Sequence, residues 1–352
     1  MRPIVTIDAE AAADVASLGG KGAGLAYLSS LGVRIPPAFA ITADGFRMAV
    51  GEALLREVRS ALDAIPEDAA ADELDTRTAA VRQLILDGTE SHPLSDEIGG
   101  SLEALAARAA DTELCVAVRS SSIAEDAADK SFAGEHDTYL WVSGATEVDR
   151  RVRECWASLA TARAVAYRRG SIDDLAMAVV VQQMAPARAA GVMMTLNPVN
   201  GDRSKVMIES VWGLGEPLVS GEATPDRYLV DKITGEVVRR EIADKATCAV
   251  RDPDTGRGVV NAELDVGQRD ASSLTPAEIA ELVRIARLVE RDAGAPQDAE
   301  FAIVDGHAPD NVLLLQCRPE TVWSRKPREA IAPAGRTAME AVLATLTQTK
   351  AR

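Results

Sequence analysis

"AEFAIVDGHAPDNVLLLQCRPE" (Ala299–Glu320) sets two short apolar runs on either side of a short loop, the pattern of two paired strands. Glu300 opens the first run, and Gln316 and Arg318 close the second. In a hairpin, Glu300 faces the Gln316 end. Gln316 and Arg318 are two residues apart, so they project from one face. A carboxylate, a carboxamide oxygen and a guanidinium side by side suit a Mg²⁺–phosphate site, in which the oxygens take the hard cation and the arginine takes phosphate oxygens. An ordinary cross-strand ion pair between Glu300 and Arg318 would use the same residues, and the spacing leaves both readings open.

Composition frames that hairpin. The chain has 352 residues, 47% apolar and 26% charged, long enough for two domains. Aromatics make up only 3%, so the core must be mostly aliphatic, which suits a mixed helix-and-sheet protein. The net charge of −16 argues against a nucleic-acid partner, because binding to a phosphate backbone needs a basic footprint. It also makes clustered cations informative. Cys115, Cys155, Cys248 and Cys317 are scattered without metal-ligand spacing, so free thiols in a reducing compartment are expected. No run approaches the ~18 apolar residues of a membrane span, and the expected location is the cytoplasm, with no membrane partner.

Two further basic residues stand out. In "LGGKGAGLA" (18–26), Lys21 follows a glycine pair and precedes a helix carrying Leu25, Leu28 and Leu31 on one side. This is not the Walker pattern, so a phosphate-reaching lysine and a merely Gly-rich helix start both fit. In "VRSSSIAEDAADKSFAGEHDTYL" (118–140), Arg119 ends an apolar strand read over 114–120. The Ser, Ala, Gly and Asp loop after it has the composition of a flap over an anionic ligand. The competing reading is a solvated loop with Arg119 paired to Glu125 or Asp126.

Between these segments, residues 44–110 read as amphipathic helix broken near Pro66 and His92-Pro93, and 146–169 as helix. "MAVVVQQM" (177–184) is a continuous apolar run and hence a buried strand. "AGVMMTLNP" and "SKVMIESVWG" predict two more strands, and "DRYLVDKITGEVVRREI" a hairpin. "TPAEIAELVRIARLVERDAG" is a helix with Thr275 as N-cap, Pro276 at its first position, Glu278 completing a capping box and Gly294 ending it. Of three histidines (His92, His136, His307), none lies in a segment suited to a buried base or phosphoacceptor.

Six segments in order carry a resemblance: "GGKGAGLAYLSSLGVRIPPAFAIT", "VRSSSIAEDAADKSFAGEHDTYL", "CWASLATARAVAYR", "VVVQQMAPARAAGVMMTLNP", "ESVWGLGEPLVSGEATPDRY" and "FAIVDG…LLLQCRPE". Together they resemble the ATP-binding domain of the phosphoenolpyruvate synthase, pyruvate phosphate dikinase and rifampicin phosphotransferase family, over residues 10–323. The resemblance implies an α/β (α+β) protein of ATP-grasp-like fold. Subdomains 1–180 and 181–323 would flank a nucleotide cleft, with 324–352 as linker and tail. It implies ATP and Mg²⁺ as cofactors. Lys21 and Arg119 would hold ATP phosphates, Glu300 and Gln316 the Mg²⁺, and Arg318 the transferred phosphates. Gln183, Met184 and Ala185 would form the adenine hinge, and Glu209 and the 213–216 loop would contact ribose and phosphate. Arg119 then becomes a phosphate clamp and the loop after it a lid. "MMTLNP" departs from the family where relatives often carry Phe before the Thr, a matter of packing more than chemistry.

Members of this family also carry a mobile domain with a phosphorylated histidine and a domain for the second substrate, and no segment here resembles either. The expectation is therefore an ATP-dependent, AMP-forming phosphotransferase subunit, active only with a partner that carries the phosphohistidine and the acceptor site. The phenylphosphate and 4-methylphenyl phosphate synthases are similar in being split this way, which points to a small hydroxyl substrate such as a phenol. Pyruvate or an antibiotic hydroxyl are alternative acceptors, and a silent nucleotide-sensing subunit is the alternative role. In 324–352, Ala338, Val342, Leu343 and Leu346 form a short apolar stripe, either a partner-docking helix or a loosely packed terminal one.

Overall fold

In the computed structural model, which describes residues 2–66, 68–111, 113–123, 137–168 and 175–324, the buried strand at 177–183 lies at the centre of the first sheet. The first half comprises β1 (Ile4–Ile7), α1 (Val15–Ser30), β2 (Ala38–Ile41), α2 (Ala43–Asp63), α3 (Ala71–Gly88) and α4 (Ser95–Ala109). It continues with β3 (Val116–Ser122), β4 (Thr138–Val142), α5 (Ala145–Ala157), α6 (Ala162–Arg168) and β5 (Met177–Gln183). The strands form an antiparallel sheet in the order β1-β2-β5-β3-β4. A central strand is covered on both faces, which is why β5 is buried along almost its whole length and apolar from Met177 to Val181. Helices α2 to α5 close one face, with Phe46, Ile85, Leu105 and Trp156 in the core against Val118 and Val181.

The second half comprises β6 (Ala189–Met194), β7 (Lys205–Trp212), α7 (Glu216–Val219), β8 (Asp226–Asp231), β9 (Val237–Glu241), β10 (Thr247–Arg251) and β11 (Val259–Glu263). It ends with α8 (Val266–Arg269), α9 (Pro276–Ala293), β12 (Gln297–Ile303) and β13 (Val312–Pro319). A six-stranded antiparallel sheet runs β13-β12-β6-β7-β8-β9, and β10 and β11 pair separately. On α9, Ile279, Leu282, Val283 and Ala286 recur at helical spacing and bury against Met193, Ile208 and Phe301. Each fully buried Leu or Ile contributes about 1.5–3 kcal/mol. The capping box of Thr275 and Glu278 is formed, and Gly294 ends the helix in the left-handed conformation.

Helix α1 joins the two sheets. A Cβ at Gly19 would lie 2.1 Å from the Ser121 carbonyl oxygen, and one at Gly24 would lie 2.3 Å from that of Cys317. The helix therefore seats against β3 on one side and β13 on the other, at distances only glycine permits. Gly22 N–H donates to Ser121 Oγ (3.1 Å), which in turn donates to the Leu18 carbonyl (2.7 Å). Gly19, Gly22 and Gly24 of "LGGKGAG" thus serve packing.

Several sequence expectations need correction. The strand carrying Arg119 runs on to Ser122, because Ser120, Ser121 and Ser122 pair with β5 and are buried. The helix read over 146–169 breaks after Ala157 into a 3₁₀ turn over Ser158–Ala160 before α6 begins. The pair β10–β11 was not anticipated, since its exposed faces give little apolar alternation. The change of sheet falls between Gln183 and Ala189, so a boundary at 180 would cut β5. Residues up to Glu320 belong to one compact unit. Most of the loop expected to form a lid after Arg119 (124–136) and the apolar stripe at 338–346 lie outside the described residues. No described helix is long and apolar enough to cross a membrane.

Candidate active site

Strand alternation decides what β3 offers to each side. Val116 and Val118 point into the first core, so Ala117 and Arg119 face the other way. They line a cavity of about 530 Å³ between the sheets, within the usual range for small-molecule sites. Gln182, Gln183, Met184 and Ala185 form the hinge-side wall, and Leu214, Gly215 and Glu216 enter from the loop after β7. Glu300, Phe301 and Leu315 supply the far wall.

The hairpin of β12 and β13 pairs as the sequence suggests, with Glu300 opposite Gln316 and Asp298 opposite Arg318. A bulge follows. Phe301 pairs with Leu314, which leaves Leu315 without a cross-strand partner. Its free carbonyl turns to Arg119, accepting from Nη1 at 3.1 Å.

Arg119 Nη2 also donates to Glu300 Oε2 and to Gln316 Oε1, both at 2.9 Å. Glu300 therefore pairs with the arginine of the opposite sheet and not with Arg318. Three strands from two sheets converge on one guanidinium, whose side chain is only 11% exposed. Its Nε is buried and, among the described residues, has no hydrogen-bond partner, and the same holds for Gln182 Nε2. Orphaned buried donors are uncommon in folded proteins, and here both belong to residues lining the cavity. Two oxygens of the type that binds hard cations meet at a single positively charged nitrogen, so the donor set fits Mg²⁺.

The other expected residues are distributed differently. Lys21 is buried on α1 and is not among the cavity-lining residues. It lies near Cys155, where its charge offsets part of the burial that pushes that thiol up. Glu209, on β7, forms an ion pair with Arg227 Nε at 2.7 Å and does not line the cavity. Arg318 Nε stands 3.9 Å from Asp298 Oδ2, too long for a hydrogen bond, and its side chain is partly exposed. Burial pushes the Asp298 carboxyl up to about 6; Arg318 opposes the shift and Glu320 adds to it.

Sequence reasoning missed Gln182, Asp137, Thr138 and Ser220 on the cavity wall, and Asp298 beside Arg318. Asp298 shares a strand face with Glu300 two residues on, a signal available from period-two spacing. Gln182 looked like part of an apolar run, and only its pairing with Ala117 shows that it borders the cleft.

His92 is buried, with Nε2 2.9 Å from Asp149 Oδ1 and its ring edge-on to Trp156. His307 is exposed on the β12–β13 loop. His136 lies outside the described residues.

Residues 15–338 match the family model described as pyruvate phosphate dikinase, AMP/ATP-binding domain. A phosphoenolpyruvate synthase from Aeropyrum pernix is 38% identical over 340 residues, covering 89% of this chain and 42% of that protein. The prodigiosin synthesizing transferase PigC of Serratia marcescens is 41% identical over 309 residues, covering 88% of this chain and 32% of that one. The chain thus spans about two fifths or less of the length of these curated relatives. Among solved structures, D-alanyl-alanine synthetase A from Vibrio cholerae aligns with a TM-score of 0.29 at 10% identity, over 94% of this chain and 64% of that one. With the family model covering most of its length, the chain belongs to the pyruvate phosphate dikinase AMP/ATP-binding domain family.

Proposed function

We propose that this chain is the ATP-binding part of a dikinase-type phosphotransferase whose phosphoryl carrier, a histidine, is presented by a partner. ATP and water would yield AMP, phosphate and a phosphohistidine. The phosphohistidine would then give its phosphoryl group to a small hydroxyl acceptor, a phenol or cresol, and return to free histidine. The observation that carries this reading is the meeting of Arg119, Glu300 and Gln316 at the wall of a cavity whose other side is the Gln183–Ala185 hinge.

Each group has a definite task. Backbone groups of the hinge hold the base. Arg119 and Arg318 are cations for phosphate oxygens, and a planar guanidinium suits such oxygens better than a lysine does. Lys21 adds positive charge behind the glycines of α1. Glu300 and Gln316 would hold Mg²⁺, which supplies charge neutralisation at the phosphates when bound. Positioning and charge compensation account for most of the catalysis of phosphoryl transfer. Among its described histidines, His92 is buried on Asp149 and His307 is far along β12–β13 from Glu300. This distribution supports an acceptor histidine from elsewhere.

The test is ATP labelled in its β- and γ-phosphates, incubated with Mg²⁺ and the chain alone, then with a candidate histidine-bearing partner. Label on the partner's histidine, with AMP formed, is expected. Label on an organic product or on this chain without a partner would overturn the proposal. Tight ATP binding with no transfer to any partner would favour the nucleotide-sensing alternative.

A further inference from the structure

We infer that Arg119 is the resident cation of the metal site in the nucleotide-free protein, and that metal and nucleotide must enter together to displace it. The inference rests on the reading of this cleft as an ATP–Mg²⁺ site and concerns how that site is loaded.

The argument starts from Arg119 Nη2. It donates to Glu300 Oε2 and Gln316 Oε1 at the same 2.9 Å, so one positively charged nitrogen satisfies both oxygens proposed as metal ligands. Glu300 is only 30% exposed. A carboxylate in that setting needs a counter-charge, and among the described residues the ion pair it makes is with Arg119. A divalent ion at these oxygens would face a guanidinium already in hydrogen-bonding contact with them. Like charges so close in a partly desolvated cleft repel strongly. Free metal is therefore opposed by Arg119 unless the guanidinium has an anion to move to.

A nucleotide triphosphate supplies that anion. Phosphate oxygens in the cavity give Arg119 new acceptors, including one for the Nε that has no partner among the described residues. The arginine's move from carboxylate to phosphate releases Glu300 and Gln316 to the metal. Metal and nucleotide thus raise each other's affinity by the same factor, as linkage requires. Arg119 also ties β3 of the first sheet to β12 and β13 of the second, so the exchange occurs where the two halves of the cleft meet.

Mn²⁺, a spectroscopic substitute for Mg²⁺, tests this in the full chain without nucleotide, with electron paramagnetic resonance reading the free ion. Wild type is expected to bind Mn²⁺ weakly. Arg119→Ala and the bulkier neutral Arg119→Gln are each expected to bind it at least about tenfold tighter, with the gain lost in Arg119→Gln/Glu300→Gln. Unchanged or weaker Mn²⁺ binding in a folded Arg119 variant would overturn the inference. Calorimetry of ATP with Mg²⁺ on wild type is the separate control. If it shows no nucleotide binding, the proposed function fails whatever the Mn²⁺ result.

Discussion

Two ion pairs of this molecule look alike on paper and differ in every physical respect. Lys245 Nζ and Asp226 Oδ1 lie 2.5 Å apart behind β8, with side chains 3% and 0% exposed. Every oxygen of Asp226 is used: Ala243 N–H donates to Oδ1, and Ser273 donates through both N–H and Oγ to Oδ2. Arg119 and Glu300 are 2.9 Å apart at a cavity wall, and among the described residues the arginine Nε has no acceptor. The first pair is closed and cannot exchange partners without unfolding its surroundings. The second is open to a ligand. Completeness of hydrogen bonding, together with burial, separates the two pairs.

Asp226→Ala should show the largest effect. It leaves Lys245 buried without its counter-charge, at a cost of about 3–5 kcal/mol. Urea denaturation would measure the loss, and Lys245→Met in the same chain should recover much of it. ATP affinity of the folded fraction should be unchanged. A loss below about 1 kcal/mol would show that the buried pair is not holding the fold.

Arg119→Ala should do the reverse. Removing a donor aimed at developing charge costs about 3–4 kcal/mol of transition-state stabilisation, or roughly 10²–10³ in rate. Labelled ATP with the histidine-bearing partner would report it, while the Tm should fall less than in Asp226→Ala, because Glu300 is more exposed than Asp226. A Tm drop as large as that of Asp226→Ala would erase the distinction between the two pairs.

Asp298 and Arg318 form an intermediate case, partly buried and 3.9 Å apart. Burial raises the Asp298 carboxyl from its ordinary value to about 6, so the folded chain holds the proton more firmly than the unfolded chain does. The resulting stability is present below about pH 4 and is lost as the pH rises through about 6. Asp298→Asn should flatten that window in a series of melts. An unaltered profile would place the pH dependence elsewhere.

The smallest effect belongs to the cap of α9. Glu278, four residues on from Leu274, is buried; that works against its charge, but bonds from Thr275, Asn311 and Arg188 hold its pKa below the usual value. Thr275→Ala removes only the Thr275 Oγ acceptor and should cost about 1 kcal/mol in urea midpoint terms, with ATP binding intact. A cost of several kcal/mol would mean that the cap supports this whole polar network.

What local chemistry dictates was legible in the chain itself. The capping box of α9 depends on residues three apart, and the pairing of Glu300 with Gln316 on a short hairpin. The buried strand β5 and the helical stretch to residue 110 follow from apolar periodicity in the same way. Their determinants lie within a few residues of one another, so spacing suffices. The arrangement around Arg119 was not legible, because its partners lie 181 and 197 residues away on the other sheet. Spacing suggested Arg318 or a nearby acid as the partner. Packing of α1 through Gly19 and Gly24 against both sheets brings β3 to the hairpin, and the bulge at Leu315 frees the carbonyl that helps to hold the guanidinium. The sequence by itself determined which polar residues each strand presents. Only the tertiary structure decided which of them meet, since that depends on contacts between segments whose separation along the chain carries no register.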